Sequence, residues 1–371
     1  MPLRSPHWLD RHVGMLVYYL DEGWPPLGVT IRRPEGFTVI EEVLGAPCIE
    51  FRPSGRGNMR VYLLAKVGVD HATAVRLASR ALGSRPHHLG MKDSNAVTYQ
   101  LVYTLGGRPR PGRTRLSGVE LTYLGDHDSR LEHTGNRFII RVEGDQAELK
   151  GRVERLASAP LLPAFFGYQR FGLVRPNSHL VGKAIVRGDL REALDLLLGR
   201  PFEAEPEAWR AFRRLYDDGR PEEALRAAPR SLWPEARVLR ALLRSSDPAR
   251  AIKAYPMGPG FFIEAYQSYI FNLCLSRLIE ANGALPRALR VPRRASDAEG
   301  ACREVMRDEG VEELASGQLG AAARDLTRPS LMEVRGLRLG EAGLEFSLPR
   351  GMYATVVLRE LLRQDPFTFA G

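Results

Sequence analysis

The sequence predicts an α+β protein, and three observations carry the prediction. Short β-type runs crowd the first 160 or so residues, an Ala/Leu/Arg/Glu-rich helical stretch follows, and β-type runs return near the end. A strand-rich unit that resumes after a helical stretch reads as one domain carrying an insertion, not as two beads in series. The expected divisions are 1–174 and 326–371 for the two parts of the strand-rich domain and 175–325 for the insertion. A chain of 371 residues is long enough to bury a core in each.

The early strands are "GFTVIEEVL", "NMRVYLLAKVG", "AVTYQLVYTL", "VELTYLG" and "RFIIRVEG", separated by Gly, Pro and Asn turns. "DHATAVRLASRALG" interrupts them as a helix, with Asp70 as its N-cap and Gly83 just past its end. Further on, "GDLREALDLLLGRP" is a helix that Asp189 and Glu192 open as a capping box and Gly199-Arg200-Pro201 closes. Prolines at 201, 206, 221, 229, 234 and 248 divide the helical stretch. "FFIEAYQSYIFNLCLSRLIEANG" is its longest helix, with Ile263, Tyr266, Ile270 and Leu273 as a core stripe and Gln267 the odd polar residue. "LMEVRGLRLG" and "GLEFSLP" are closing strands and "ATVVLRELLRQ" a closing helix.

Net charge is +9 and the pI about 9.7, which favours a polyanionic partner such as nucleic acid. Only five of the 53 basic residues are lysine; the rest are arginine, whose planar fork suits phosphate. No apolar run approaches a membrane span, and the N-terminus lacks a signal peptide's apolar core, so a cytoplasmic protein without a membrane partner is expected. Cys48, Cys274 and Cys302 lie far apart with no C-x-x-C spacing, arguing against a zinc site and against a disulfide framework.

Several stretches could carry chemistry. In "HHLGMKDSNAVTYQ", Lys92 and Asp93 sit in a Gly/Ser/Asn turn before a period-2 strand. Asp93 is there either a turn aspartate bonding its own backbone or a rigidly held group at a strand mouth. "EHTGNRFIIRVEG" places Arg137 and Arg141 on one strand face, able to track phosphates or simply to face solvent. "LPAFFGYQRFG" packs four aromatics beside Gln169 and Arg170, as stacking a base and bonding its edges would need, or as a core-packing turn would. "GDHDSRLEH" offers Asp126, Asp128 and His133, which read as turn chemistry and not as metal ligands.

Together these segments resemble the TruD family of tRNA pseudouridine synthases, in its archaeal and eukaryotic branch. "GMKDSNAVTYQ", "HTGNRFIIRV" and "FFGYQRFG" look like three of its motifs. "RPNSHLVGKAI", "AYQSYIFN" and "LPRGMYATVVLRE" follow in the family's order, and the likeness runs from about residue 12 to 365. Ala164 and Phe165 stand where the family commonly has Asn-Tyr, and Met352 where it has Ser.

The resemblance implies a pseudouridine synthase-like catalytic domain with a central mixed sheet, interrupted by a helix-rich TRUD insertion domain. It implies that Asp93 is the catalytic aspartate, as nucleophile or base, and that uridine 13 of the tRNA D-arm is the target. Neither cofactor nor metal is required, because the reaction is an isomerisation, and no obligate protein partner is implied. The candidate RNA-binding residues are Lys92, His133, Asn136, Arg137, Arg141, Phe166, Gln169, Arg170, Gln267 and Tyr353, with Phe166 and Tyr353 expected at the flipped uracil. RNA is expected between the two domains. The alternatives are an inactive RNA-binding or chaperone protein of the same fold, and a metal-dependent hydrolase.

Overall fold

The computed structural model describes residues 2–20, 22–314, 319–320 and 323–371. Residues 315–318 and 321–322 of the expected helical stretch lie outside the described residues. The chain forms two units: Trp24–Leu162 with Met332–Gln364, and Met1–Gly23 with Pro163–Leu331 and Asp365–Gly371. These bounds differ from the expected 174/175 and 325/326 divisions. The chain's first and last residues group with the helical unit, a long-range association that no local pattern announces.

The first unit is built on a ten-stranded mixed sheet. Its strands are β1 (Phe37–Val43), β2 (Ala46–Pro47), β3 (Met59–Val67), β4 (His87–His88), β5 (Val97–Leu105), β6 (Arg113–Leu116), β7 (Val119–His127), β8 (His133–Ile140), β9 (Arg335–Gly340) and β10 (Gly343–Pro349). The main order is β9-β10-β8-β1-β5-β3-β7-β6, with β2 on β1 and β4 on β5. β1 and β5 pair in parallel, and the other pairs are antiparallel. β9 and β10 are distant in sequence and join the sheet through β8, where Phe346 lies opposite Phe138.

Helix His71–Leu82 forms as its sequence predicts. Asp70 accepts from the Thr73 amide at 2.9 Å, and Gly83 closes it at φ 71°, a conformation only glycine adopts without strain. Ala74 and Ala78 of this helix bury Tyr62, Leu64, Val102, Val119 and Leu121. On the other face, Ile40, Val43, Cys48, Val61, Leu101 and Leu131 form a second apolar cluster.

The second unit is mainly helical, and its axis is helix Gly260–Glu280. Ile263, Tyr266 and Ile270 of the expected stripe are buried in it, as is Phe271, whereas Leu273 is only half-buried. Helix Ser178–Val186 packs closely there because Gly182 has no side chain: a Cβ would lie 2.0 Å from the Phe262 carbonyl oxygen. Asp189 caps helix Leu190–Leu198 through the Glu192 amide at 2.9 Å.

The cysteine reading needs correction. Cys274 and Cys302 form a disulfide, with their Cα atoms 4.9 Å apart. They lie 28 residues apart on helices Gly260–Glu280 and Gly300–Asp308, which pack side by side, so sequence spacing could not reveal the pairing. No helix among the described residues is long and apolar enough to cross a membrane.

Candidate active site

The sheet unit carries a polar row within its buried interior. Register places Thr98 opposite Lys66, Gln100 opposite Leu64, and Glu41 opposite Asn136. Side chains on directly paired residues share a face, so the row runs among apolar neighbours. Glu41, Lys66, Thr98 and Gln100 are each 1% exposed or less. Sequence reading missed these four, because the apolar alternation of Val97, Tyr99, Leu101 and Tyr103 draws attention to the opposite face of β5. A readable signal was present: two polar residues, Thr98 and Gln100, at the alternate positions of a central strand.

Glu41 organises the row. Its Oε1 accepts from Lys92 Nζ at 2.6 Å and its Oε2 from the Leu101 amide at 3.0 Å. Lys92, expected at the RNA, is instead buried against this carboxylate. Gly90 makes room for it, because a Cβ there would meet His133 Nδ1 at 3.2 Å and Lys92 Nζ at 3.4 Å. His133 Nε2 bonds the Gly135 carbonyl at 2.9 Å. Burial lowers the imidazole pKa, Lys92 lowers it further, and Glu41 and the Gly135 carbonyl oppose them. Thr98 Oγ1 and both amide atoms of Gln100 are buried without a protein partner, while Asn136 lies within hydrogen-bonding reach of His133. Unpaired buried polar atoms cost about 1–3 kcal/mol each, and groups of them are what a bound water or ligand would satisfy.

Asp93 follows Lys92 and is exposed. The loop carrying it is anchored through three main-chain carbonyls. Lys66 Nζ donates to the Asp93 carbonyl, Arg33 Nη1 to that of Asn95 at 3.1 Å, and the Gly68 amide to that of Ala96 at 3.3 Å. Burial pushes the Lys66 ammonium down to about 8, against the opposing pull of Asp93 and Asp70. Burial likewise lowers the Arg33 guanidinium to about 10, with Asp93 opposing. Lys66 and Arg33 are thus both within electrostatic reach of Asp93, and neither was singled out by the sequence. His71, at the start of helix His71–Leu82, is lowered to about 4 by burial, then by His88, Lys66 and Lys92, with Asp70 opposing.

A family model described as tRNA pseudouridine synthase D (TruD) matches residues 12–292. The chain belongs to the TruD family. Its relatives include "Probable tRNA pseudouridine synthase D" of Sulfurisphaera tokodaii, 38% identical over 96% of this chain and 99% of that protein. The same name is carried by a Saccharolobus solfataricus protein, 36% identical over 98% and 100%. Among solved structures, the "Putative tRNA pseudouridine synthase D (TruD)" of Methanosarcina mazei superposes with a TM-score of 0.70 at 25% identity, covering 97% of this chain and 99% of that one. The α+β fold with its central mixed sheet is therefore that of a TruD protein.

The other expected residues of this TruD chain fall in several places. Asn136 and His133 lie on β8 beside Glu41 and Lys92, close to the Asp93 loop. Tyr353 immediately precedes helix Ala354–Leu362. Its segment leaves the sheet where Pro349 opposes Gly135 and the Arg350 amide bonds the Thr134 carbonyl at 3.0 Å, the same end as His133 and Asn136. Arg137 points to the opposite face, paired with Glu345 at 2.8 Å in a cavity of about 410 Å³ that Arg335, Arg338 and Glu42 also line. Arg141, beyond the end of β8, is exposed.

Phe166, Gln169, Arg170 and Gln267 belong to the helical unit. Asn272 holds the Phe166 main chain from both sides, accepting from its amide at 2.8 Å and donating to its carbonyl at 3.0 Å. The half-buried Phe166 ring lies edge-on to Phe271 and under the Arg328 guanidinium, 4.3 Å from its centroid. Ala164, in the position where the family commonly has Asn, is fully buried, and its carbonyl accepts from Arg328 Nε at 2.7 Å. Gln169 donates weakly to the Ala370 carbonyl at 3.4 Å, and Arg170 bonds Ser268 and Glu264. Gln267 is buried and donates to the Arg324 carbonyl.

Asp126 lies beside Tyr123 and Arg60, and Asp128 beside Arg56, away from His133. Among the described residues no group of three or more His, Cys, Asp or Glu could hold a metal ion.

Proposed function

We propose that this protein isomerises uridine to pseudouridine in tRNA, in the cytoplasm, with uridine 13 of the D-arm as its target and Asp93 as nucleophile or base. The observation that supports the reading best is an exposed carboxylate on a loop tied down by buried side chains, next to buried polar atoms that lack protein partners. The reaction breaks the uridine N1–C1′ bond, turns the uracil and rejoins it through C5. A carboxylate aimed at the ribose can begin it by attacking C1′ or by removing a ribose proton. The atoms of the reactant are all retained in the product.

The uridine must leave its helical stack first, at a cost of a few kcal/mol. Asn136 Oδ1 and the Gln100 amide have the complementarity to bond a uracil edge, and Tyr353 supplies an aromatic face at the same end of the sheet. In the helical unit, Phe166 is proposed to stack on an RNA base. The +9 charge supports affinity for the phosphate backbone.

Pseudouridine mapping of tRNA treated with wild-type protein and with Asp93→Asn tests the reading. The wild type is expected to convert one D-arm uridine, and the variant to bind tRNA with near wild-type affinity and convert none. Turnover by Asp93→Asn would remove Asp93 from the chemistry. Modification at another uridine would replace the proposed target.

A further inference from the structure

We propose that Lys66 is a positioning residue for the reaction: its ammonium clamps the main chain of Asp93 to the start of helix His71–Leu82 and so holds the carboxylate in line with the ribose. The inference rests on the reading of Asp93 as the reacting group. Lys66 stands at the end of β3, 1% exposed, opposite Thr98 of β5. Its Nζ donates both to the Val69 carbonyl at 2.8 Å, just before the Asp70 cap, and to the Asp93 carbonyl. One buried cation therefore joins the loop bearing the carboxylate to the entrance of a helix packed on the sheet.

Hydrogen bonds from a charged donor are about twice as strong as neutral ones, and a buried lysine holding two carbonyls has little freedom to move. The charged and titratable groups that face the ammonium are Asp93 and Asp70, which attract it, Lys92, which repels it, and His71, which burial keeps neutral at pH 7. Repulsion from Lys92 is muted because Glu41 neutralises that lysine at 2.6 Å. Arg33 and Gly68 hold the same loop farther on, through Asn95 and Ala96, while the Lys66 bond acts at the Asp93 carbonyl itself. A displacement of about 1 Å at a reacting group can cost a hundredfold in rate.

The test is Lys66→Met, which keeps the length of the side chain and removes its donors, with Lys66→Leu, also without a donor, read in the same way if the first variant does not fold. Three readouts are taken on full-length protein: kcat and KM on tRNA, tRNA affinity, and amide hydrogen exchange across the sheet unit. The expected result is a 10- to 100-fold fall in kcat, KM and affinity within threefold of wild type, and faster exchange confined to residues 90–96. Unchanged kcat overturns the proposal. So does a lower kcat without faster exchange in that loop, or exchange accelerated throughout β3, β5 and β7, which marks a general structural role. Asp93→Asn, measured alongside, separates the two readings. If it turns over, the assignment of Asp93 has failed; if it is inactive while Lys66→Met is unimpaired, only the role of Lys66 has.

Discussion

Glu41 and Lys92 form an ion pair sealed inside the sheet unit, with Oε1 and Nζ 2.6 Å apart and their side chains 0% and 3% exposed. A pair buried this deeply cannot lose one member cheaply, because the survivor is a charge without a partner in a low-dielectric interior. Lys92→Met is expected to cost about 3–5 kcal/mol. In Glu41→Gln/Lys92→Met, the glutamine oxygen can still accept from the Leu101 amide and no charge is stranded, so most of the loss should be recovered. Urea unfolding of the single and double variants checks this, and additive losses would show that the two charges do not depend on each other.

The two arginines on the β8 segment should behave differently. Arg141 is exposed, whereas Arg137 is bound to Glu345, which also accepts from Arg338 at 2.7 Å. A phosphate contact would be expected of Arg141 first. Arg141→Ala should weaken tRNA binding and reduce the salt slope by about 0.7–0.9, while Arg137→Ala leaves the slope nearly unchanged. Binding titrations at several salt concentrations decide it, and the reverse order would place the phosphate backbone over the Arg137 cavity.

Phe166 is neither fully buried nor fully exposed. Its main chain is fixed by Asn272, but its ring is only half-buried between Phe271 and Arg328. The edge-on ring pair and the cation over the face are each worth about 0.5–1.5 kcal/mol. Phe166→Ala should therefore cost about 1–3 kcal/mol of stability, less than the 3–5 of a full core phenylalanine. Loss of base stacking should weaken RNA binding by a further 1–3 kcal/mol or so. Thermal melting and tRNA binding on the same variant separate the two, and a large melting loss with wild-type affinity would return the ring to a packing role.

Acid stability of the helical unit should depend on His179. This ring is 1% exposed, stacked on Tyr269 at 4.9 Å and edge-on to His12 and Phe171. Burial, then the neighbouring His12, lowers its pKa from 6.5 to about 3. The folded protein holds it neutral while the unfolded chain protonates it. Its contribution is complete above pH 6.5 and is lost as pH falls from 6.5 towards 3, at up to about 1.4 kcal/mol per pH unit. His179→Phe keeps an aromatic ring without the titration, so its stability-versus-pH curve should be flatter than that of wild type over that window. Parallel curves would mean that His179 does not contribute to the acid limb.

Much of the local structure was legible in the sequence because it rests on interactions between near neighbours. Asp70 and Asp189 cap their helices through amides three residues away, and Gly83 ends one at a positive φ. The long helix was readable from Ile263, Tyr266 and Ile270 because a period of 3.6 writes a core face into consecutive residues. The family was readable for a related reason: its motifs are short and lie in a fixed order along the chain.

What only the tertiary structure decided depends on residues brought together from a distance. The +9 charge was visible, but not that Lys92 is buried against Glu41, 51 residues away, while Arg141 remains exposed. The Cys274–Cys302 bridge needed two helices to pack, and the polar row of Glu41, Lys66, Thr98 and Gln100 needed three strands in register. Asp93 was singled out by the resemblance of its segment to a family motif. The cations beside it, Lys66 and Arg33, were not, because Coulomb and hydrogen-bond energies fall off with distance in space and are indifferent to distance along the chain.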